Sequence, residues 1–267
     1  MGKYKITVIM GIYNCQYTLE SSLNSLMNQT YQNFDVAMCD DGSNDNTYSI
    51  AKNFCDRYPE KFILLKNTEN MGLNYTLNHC LKFAKGDYIA RMDGDDISLP
   101  NRFKKEVEFL DNNADIAIVS SPMIYFDEIG DWQVGTAIEI PNRKDYIKGT
   151  PFAHAPCMVR KEAYQAVNGY TVDKKLLRVE DYHLWIKMCA HGLKGYNLQE
   201  PLYKMRDDKN ATARRSFKSR LNEVYVKYLA FKMLKLPYWY VGFILKPIIV
   251  GLLPNRLYLY LHRNRLR

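Results

Sequence analysis

The stretch "DYIARMDGDDISLPNRF" (residues 87–103) decides how this chain folds. It opens on an apolar-rich run, "YIARM", and stops at a turn that puts Asp93, Asp95 and Asp96 into four residues. Pro100 follows, and then Phe103, Val107 and Leu110 recur at helical spacing. A strand that ends in a polar turn and hands over to a helix is the repeating piece of a parallel α/β sheet. Three carboxylates that close repel one another. The cluster is therefore either a solvated turn with a helix cap, as Asp and Gly favour, or a holder of a cation.

Upstream the same alternation repeats. "YKITVIMGIYN" (4–14), "FDVAMCDDGS" (34–43) and "FILLKN" (62–67) read as strands. Helical faces follow each: Leu19, Leu23, Leu26 and Met27; then Ile50, Ala51 and Phe54; then Leu73, Leu77 and Leu81. Ligands of such sheets bind beyond the carboxyl ends of the strands. That puts Tyr13-Asn14, Asp40-Asp41 and Asp93–Asp96 on one rim. After residue 115 the runs "DIAIVSSPMIYF" and "WQVGTAIEIP" read as strands without helices between them, so this half is mixed α+β. "KEAYQAVNG" (161–169) and "EDYHLWIKMCAHG" (180–192) read as helices stopped by glycine. "GYNLQEPLYKMR" (195–206) is extended, and a basic helix is expected from Phe217 to Leu236, before Pro237.

Charge separates the chain into two parts. From Arg214 to Arg267 there are twelve Lys or Arg and one acid, Glu223, a balance of +11; residues 1–213 hold 25 bases against 28 acids, or −3. The overall +8 thus belongs to the C-terminal segment, and a generally nucleic-acid-binding surface is excluded. The expected organisation is a domain over 1–213, in halves of about 1–115 and 116–213, and a basic apolar helical tail over 214–267. Six scattered cysteines with no C-x-x-C pair, and no signal-like N-terminus, favour a reducing cytoplasmic setting without structural zinc.

Several chemistries fail on spacing. An EF-hand counted from Asp93 would need Gly and Glu where Ser98 and Lys104 stand. No P-loop and no G-x-G-x-x-G occurs. A phosphatase-type nucleophilic Asp also follows a strand, but no supporting set of residues lies downstream. What remains is Mg²⁺ or Mn²⁺ held by few carboxylates and bridging to phosphate.

Four blocks in order, "VIMGIYN" (8–14), "CDDGSNDNT" (39–47), "NMGLNYTLNHCLKFAKGDYIARMDGDDISLPNRF" (70–103) and "VEDYHLWIK" (179–187), resemble the inverting family 2 glycosyltransferases of GT-A fold. Those nearest in character build bacterial capsule, exopolysaccharide or O-antigen. The resemblance spans roughly residues 4–206 and implies that 1–213 is the catalytic domain, with a nucleotide-binding half to about 115 and an acceptor-binding half over 116–213. It implies that Gly11 and Tyr13 pack on or bond the nucleotide base, and that Asp40 or Asp41 accepts from a base N–H, which favours a UDP-sugar. Asn70, Arg91, Asp93 and Asp96 fall on the donor side. Asp95 is the implied direct metal ligand; Asp93 lies nearer the ribose or a metal-bound water, and Asp96 nearer the sugar. Arg91 and Arg102 either help with phosphate or solvate the ends of their elements.

For the reaction, Asp181 matches the base that takes the acceptor hydroxyl's proton, with Glu180 beside it. A helix N-terminus is expected to lower the pKa of Asp181. His154 is placed on the acceptor side. Many members carry a late metal-binding His; here Arg206-Asp207-Asp208 stands instead, so Asp207 or Asp208 replaces it or the metal does without. Arg214-Arg215 would form a cationic loop over the diphosphate. A non-catalytic sugar-nucleotide-binding or membrane-scaffold protein of the same fold is the rival reading, and intact Asp93, Asp95 and Asp181 argue against it.

The end of the chain, "LPYWYVGFILKPIIVGLLPNRLYLYLHRNRLR" (236–267), is broken by Lys246-Pro247 and too short in its apolar run for a spanning helix. Trp239 between Tyr238 and Tyr240, beside cations, suggests helices lying on an anionic membrane surface. A helical pair folded on the domain, or in a homodimer, is the alternative. The expected location is peripheral, on the cytoplasmic face of the cell membrane, with a glycan or lipid-linked acceptor.

Overall fold

The computed structural model describes residues 3–207 and 217–251. Its first part alternates β1 (Ile6–Ile12), α1 (Leu19–Met27), β2 (Phe34–Asp40), α2 (Thr47–Arg57), β3 (Phe62–Lys66), α3 (Leu73–Phe83) and β4 (Tyr88–Arg91). The two-residue β5 (Ile97–Ser98) and α4 (Arg102–Asn112) complete it. The helices turn the expected faces inward: Leu19, Leu23 and Leu26, then Ala51 and Phe54, then Leu77, then Phe103, Val107 and Leu110 are buried. Along β1 the side chains alternate between two apolar layers, Ile6, Val8, Met10 and Ile12 on one and Ile9 on the other.

The second part holds β6 (Ile116–Ser120), β7 (Met123–Phe126), β8 (Asp131–Val134), β9 (Met158–Arg160), α5 (Lys161–Ala166), α6 (Glu180–Ala190), β10 (Lys194–Asn197) and β11 (Tyr203–Arg206). Seven strands form the central sheet in the order β10-β6-β9-β4-β1-β2-β3. β9 alone runs antiparallel to its neighbours β4 and β6; the other pairings are parallel. A smaller sheet, β5-β11-β7-β8, stands beside it. The strand expected through "WQVGTAIEIP" is confined to β8. The residues after it are pinned from the central sheet instead, Asn197 donating from its backbone to Glu139 O (2.8 Å) and from its amide to Ile138 O (2.7 Å).

α7 (Phe217–Met233) and α8 (Gly242–Gly251) follow. Val226, Ala230 and Leu234 are fully buried and share a core with Tyr146, Leu176, Tyr182 and Ile186. Lys227 is buried too, donating to Ile147 O (2.7 Å) and Lys148 O (3.1 Å). Asn222 donates to Leu177 O (3.0 Å). Over α7, then, the basic C-terminal segment packs on the domain. Among the described residues no helix is long and apolar enough to cross a membrane. Asp208, Arg214, Arg215 and residues 252–267 lie outside the described residues.

Candidate active site

Strand register builds the rim. Ile12 at the end of β1 is level with Asp40 at the end of β2, and Ile9 is level with Arg91 at the end of β4. The chain beyond Arg91 therefore runs alongside Gly11–Tyr13. Gly94 seals the junction: a Cβ there would lie 2.8 Å from Cys15 Sγ, and its carbonyl accepts from Thr18 Oγ1 (2.9 Å). Gly42, at φ +74°, turns the chain after β2 where a Cβ would strike the Glu69 backbone at 2.8 Å.

The two acids after β2 have different environments. Asp41 is locked: Oδ1 accepts from Asn67 Nδ2 and the Met71 N–H (both 2.8 Å), and Oδ2 from the Gly72 N–H (2.9 Å). Asp41 thus ties the β2 turn to the turn before α3. Asp40 is fully buried; Oδ1 accepts from the Ser43 N–H (3.3 Å), and Oδ2 has no partner. A buried acceptor left open at a strand end is the chemistry a donor N–H would satisfy. Tyr13 beside it is 44% exposed, and Asn70 is exposed.

Asp93, Asp95 and Asp96 each offer a carboxylate oxygen within 4.8 Å of the others. Arg91 Nη1 and Nη2 donate one to each carboxylate oxygen of Asp93. The Asp93 N–H donates to the buried Tyr203 hydroxyl (3.2 Å). Asp96 Oδ1 accepts from the Arg206 N–H (2.8 Å), joining the acidic turn to β11, while its buried Oδ2 has no partner. Burial, followed by the charge of Asp93, raises the pKa of Asp95 and raises that of Asp96 well above the carboxylate range. These donors fit a divalent cation: hard oxygens, close together, with the free oxygen of Asp96 and Asp95 left to face it.

The start of α6 lies within electrostatic reach of this turn and is entered through Arg178 in the left-handed region at φ +67°. Burial raises the pKa of Asp181; the Tyr182 N–H and Arg91 oppose that, and the charge of Asp93 adds to it. The helix N-terminus therefore does not prevail, contrary to the lowering that its dipole alone suggests: burial outweighs it. Glu180 is pushed to about 7 by burial and then by the charge of Asp181, and its Oε2 is buried without a partner. Arg91 and Asp93 are thus felt at Asp181 although the two segments are far apart in sequence.

The chain belongs to glycosyl transferase family 2. That family's model matches residues 7–167. The protein designated glycosyltransferase EpsE of Bacillus subtilis is 41% identical over 261 residues, covering 98% of this chain and 94% of that one. A UDP-Gal:α-D-GlcNAc-diphosphoundecaprenol β-1,3-galactosyltransferase of Escherichia coli is 30% identical, covering 98% and 97%. The fold is GT-A. S. aureus TarS 1–349, solved in complex with UDP-GlcNAc, superposes with a TM-score of 0.70 at 18% identity, over 91% of this chain and 73% of that one. A mannosyltransferase from Pyrobaculum calidifontis, solved with GDP-Man and Mn²⁺, gives 0.63 at 17% identity, over 99% and 80%.

In this glycosyltransferase the remaining candidates fall as follows. Arg91 is 4% exposed and spends both terminal nitrogens on Asp93, so its first partner is a carboxylate of the site itself. Arg102 is fully buried, bonded through Nε to both oxygens of Glu106 (3.2 Å each) and through Nη2 to Arg91 O and Cys157 O. It braces β4 from behind. Gly11 backs onto α3, where a Cβ would meet Leu73 at 3.0 Å and Thr76 at 3.2 Å. His154 bonds Tyr170 Oη through Nε2 (2.7 Å) and meets Trp185 of α6 edge to face. Burial, and then Arg91, hold it well below its ordinary pKa, as neutral imidazole. Tyr203 and the amides of Met71 and Gly72 are parts of the site that sequence reasoning passes over.

Proposed function

We propose that the chain is a metal-dependent inverting glycosyltransferase. It moves a sugar from a nucleotide-sugar, by default a UDP-sugar, to a hydroxyl of a lipid-linked glycan in surface polysaccharide synthesis. The observation that carries this is the gathering of Asp93, Asp95 and Asp96 within 4.8 Å, on a rim whose charge reaches Asp181. Two relatives from Escherichia coli named for UDP-Gal and UDP-Glc transfer to a GlcNAc-diphosphoundecaprenol support the donor and acceptor classes.

Asp40 Oδ2 accepts the base N–H, and Tyr13 lies against the base or ribose. Asp95 and, in place of the sugar-side role expected of it, the free oxygen of Asp96 would hold Mn²⁺ or Mg²⁺, which would supply Lewis-acid chemistry to the diphosphate that leaves. Arg91 keeps Asp93 fixed, so the acidic turn does not spring apart by its own repulsion before the donor arrives. Asp181 takes the proton from the acceptor hydroxyl as that oxygen attacks the anomeric carbon from the face opposite the diphosphate. Its raised pKa makes it a stronger base than a solvated carboxylate, and Glu180 holds the acceptor beside it. His154, neutral, keeps α6 in place from the acceptor side.

The test is a panel of UDP- and GDP-sugars with Mn²⁺, scored by thermal shift and by sugar release. Stabilisation by one UDP-sugar supports the reading. A preference for a GDP-sugar refutes the base assignment to Asp40, and no response to any nucleotide-sugar refutes the transferase reading.

A further inference from the structure

Between the loop at 142–144 and the link from α7 to α8 there is a cavity of about 500 Å³. Its described lining is Asn142, Arg143, Lys144, Lys235, Leu236 and Pro237: three cations and no acid. Asp145, next to Lys144 in the chain, is buried and already taken by the Asn142 N–H (3.0 Å) and Lys148 Nζ (2.9 Å). Directly after Pro237 come Tyr238 and Trp239, 79% and 65% exposed. In α8 that pattern continues. Phe243 and Ile244 pack on the domain core, yet Leu245 and Ile249, one turn apart, are 53% and 62% exposed, with the exposed Lys246 between them. A helix that is apolar on the face away from its core needs an apolar neighbour on that side. Exposed aromatics at the edge of a cationic hollow match the interface of a bilayer, where rings sit at headgroup depth and anionic phosphates lie just above.

We propose that this cavity seats the phosphate of an anionic lipid on Arg143, Lys144 and Lys235, while Tyr238, Trp239, Leu245 and Ile249 enter the headgroup region. The proposal gives the transferase its membrane partner and rests on that reading for its purpose. α7, which leads into this surface, is bonded through Asn222 to Leu177, three residues before Glu180. The membrane contact and the acceptor wall are therefore parts of one packed unit, and a lipid-linked acceptor would be delivered to the side of the cleft that bears Asp181.

The test uses the full chain and phosphatidylcholine vesicles with and without phosphatidylglycerol. The protein should sediment with the anionic vesicles, and Trp239 emission, taken as the difference from W239F, should shift to the blue. Neutralising the three cations (R143Q/K144Q/K235Q) should lower partitioning by about a hundredfold. Leu245→Ser with Ile249→Ser should weaken it as well. In both variants nucleotide-sugar binding and melting temperature should stay as in the parent, which separates this surface from the transferase reading. Undiminished binding by the triple charge variant overturns the proposal. So does a homodimer whose dissociation, rather than vesicle binding, changes the Trp239 signal.

Discussion

The guanidinium of Arg91 grips both carboxylate oxygens of Asp93, at the point where β4 becomes the acidic turn. This pair supplies a positive charge from within the fold that lets the three acids stay close. Lys cannot reproduce it, because its point charge reaches one oxygen at a time. Removing one partner of a buried pair costs about 3–5 kcal/mol, and the 29% exposure of Asp93 reduces that. Arg91→Lys should therefore lose about 2 kcal/mol in urea denaturation and need more Mn²⁺ for the same rate. Asp93→Asn in the same background should add little, since the interaction is already broken.

Asp40 and Asp41 are adjacent and should behave differently. Asp41→Ala removes the acceptor of three hydrogen bonds and should cost about 3 kcal/mol of stability, read by urea denaturation. Asp40→Asn keeps the Ser43 contact and breaks no other hydrogen bond of the acid, so it should cost no more than about 1 kcal/mol. It should raise the KM for donor by tenfold or more, on the order of one unpaired buried hydrogen bond. Equal loss of stability in both variants would contradict the division of roles.

Glu180 gives a pH dependence with a definite sign. Its folded-state pKa of about 7 lies above the ordinary carboxylate value of 4.5, so the folded chain binds this proton more tightly than the unfolded chain. Its contribution to stability is present below about 4.5 and is lost as pH rises through about 7. Glu180→Gln should match the parent near about pH 4.5 and exceed it by about 3 kcal/mol near about pH 8, measured by denaturant unfolding at the two values.

The parts of this site that lie within one strand-to-helix step are legible in the sequence. The alternation before Tyr13, Asp40 and Asp93 and the helical faces after them place three strand ends on one rim, because each rests on local periodicity. What the sequence does not display is pairing at long range. Asp96 meets Arg206, Asp93 meets Tyr203, and Asp41 meets Met71 and Gly72, with no pattern to announce any of them. Nor does a helix start reveal how deeply it is buried, which is why the dipole argument for Asp181 points the wrong way. Likewise the basic balance of the C-terminal segment hides the inward face of α7, since Val226, Ala230 and Leu234 are spaced among its cations.

The central claim is displacement with inversion, with Asp181 as the base. The direct measurement is the anomeric configuration of the first-formed sugar, followed by proton NMR during Mn²⁺-dependent turnover of an α-linked UDP-sugar. Inversion gives a β product, and Asp181→Asn, which still binds donor, should form it about 10²–10⁴-fold more slowly. An α product, or an Asp181→Asn variant that turns over like the parent, would contradict it.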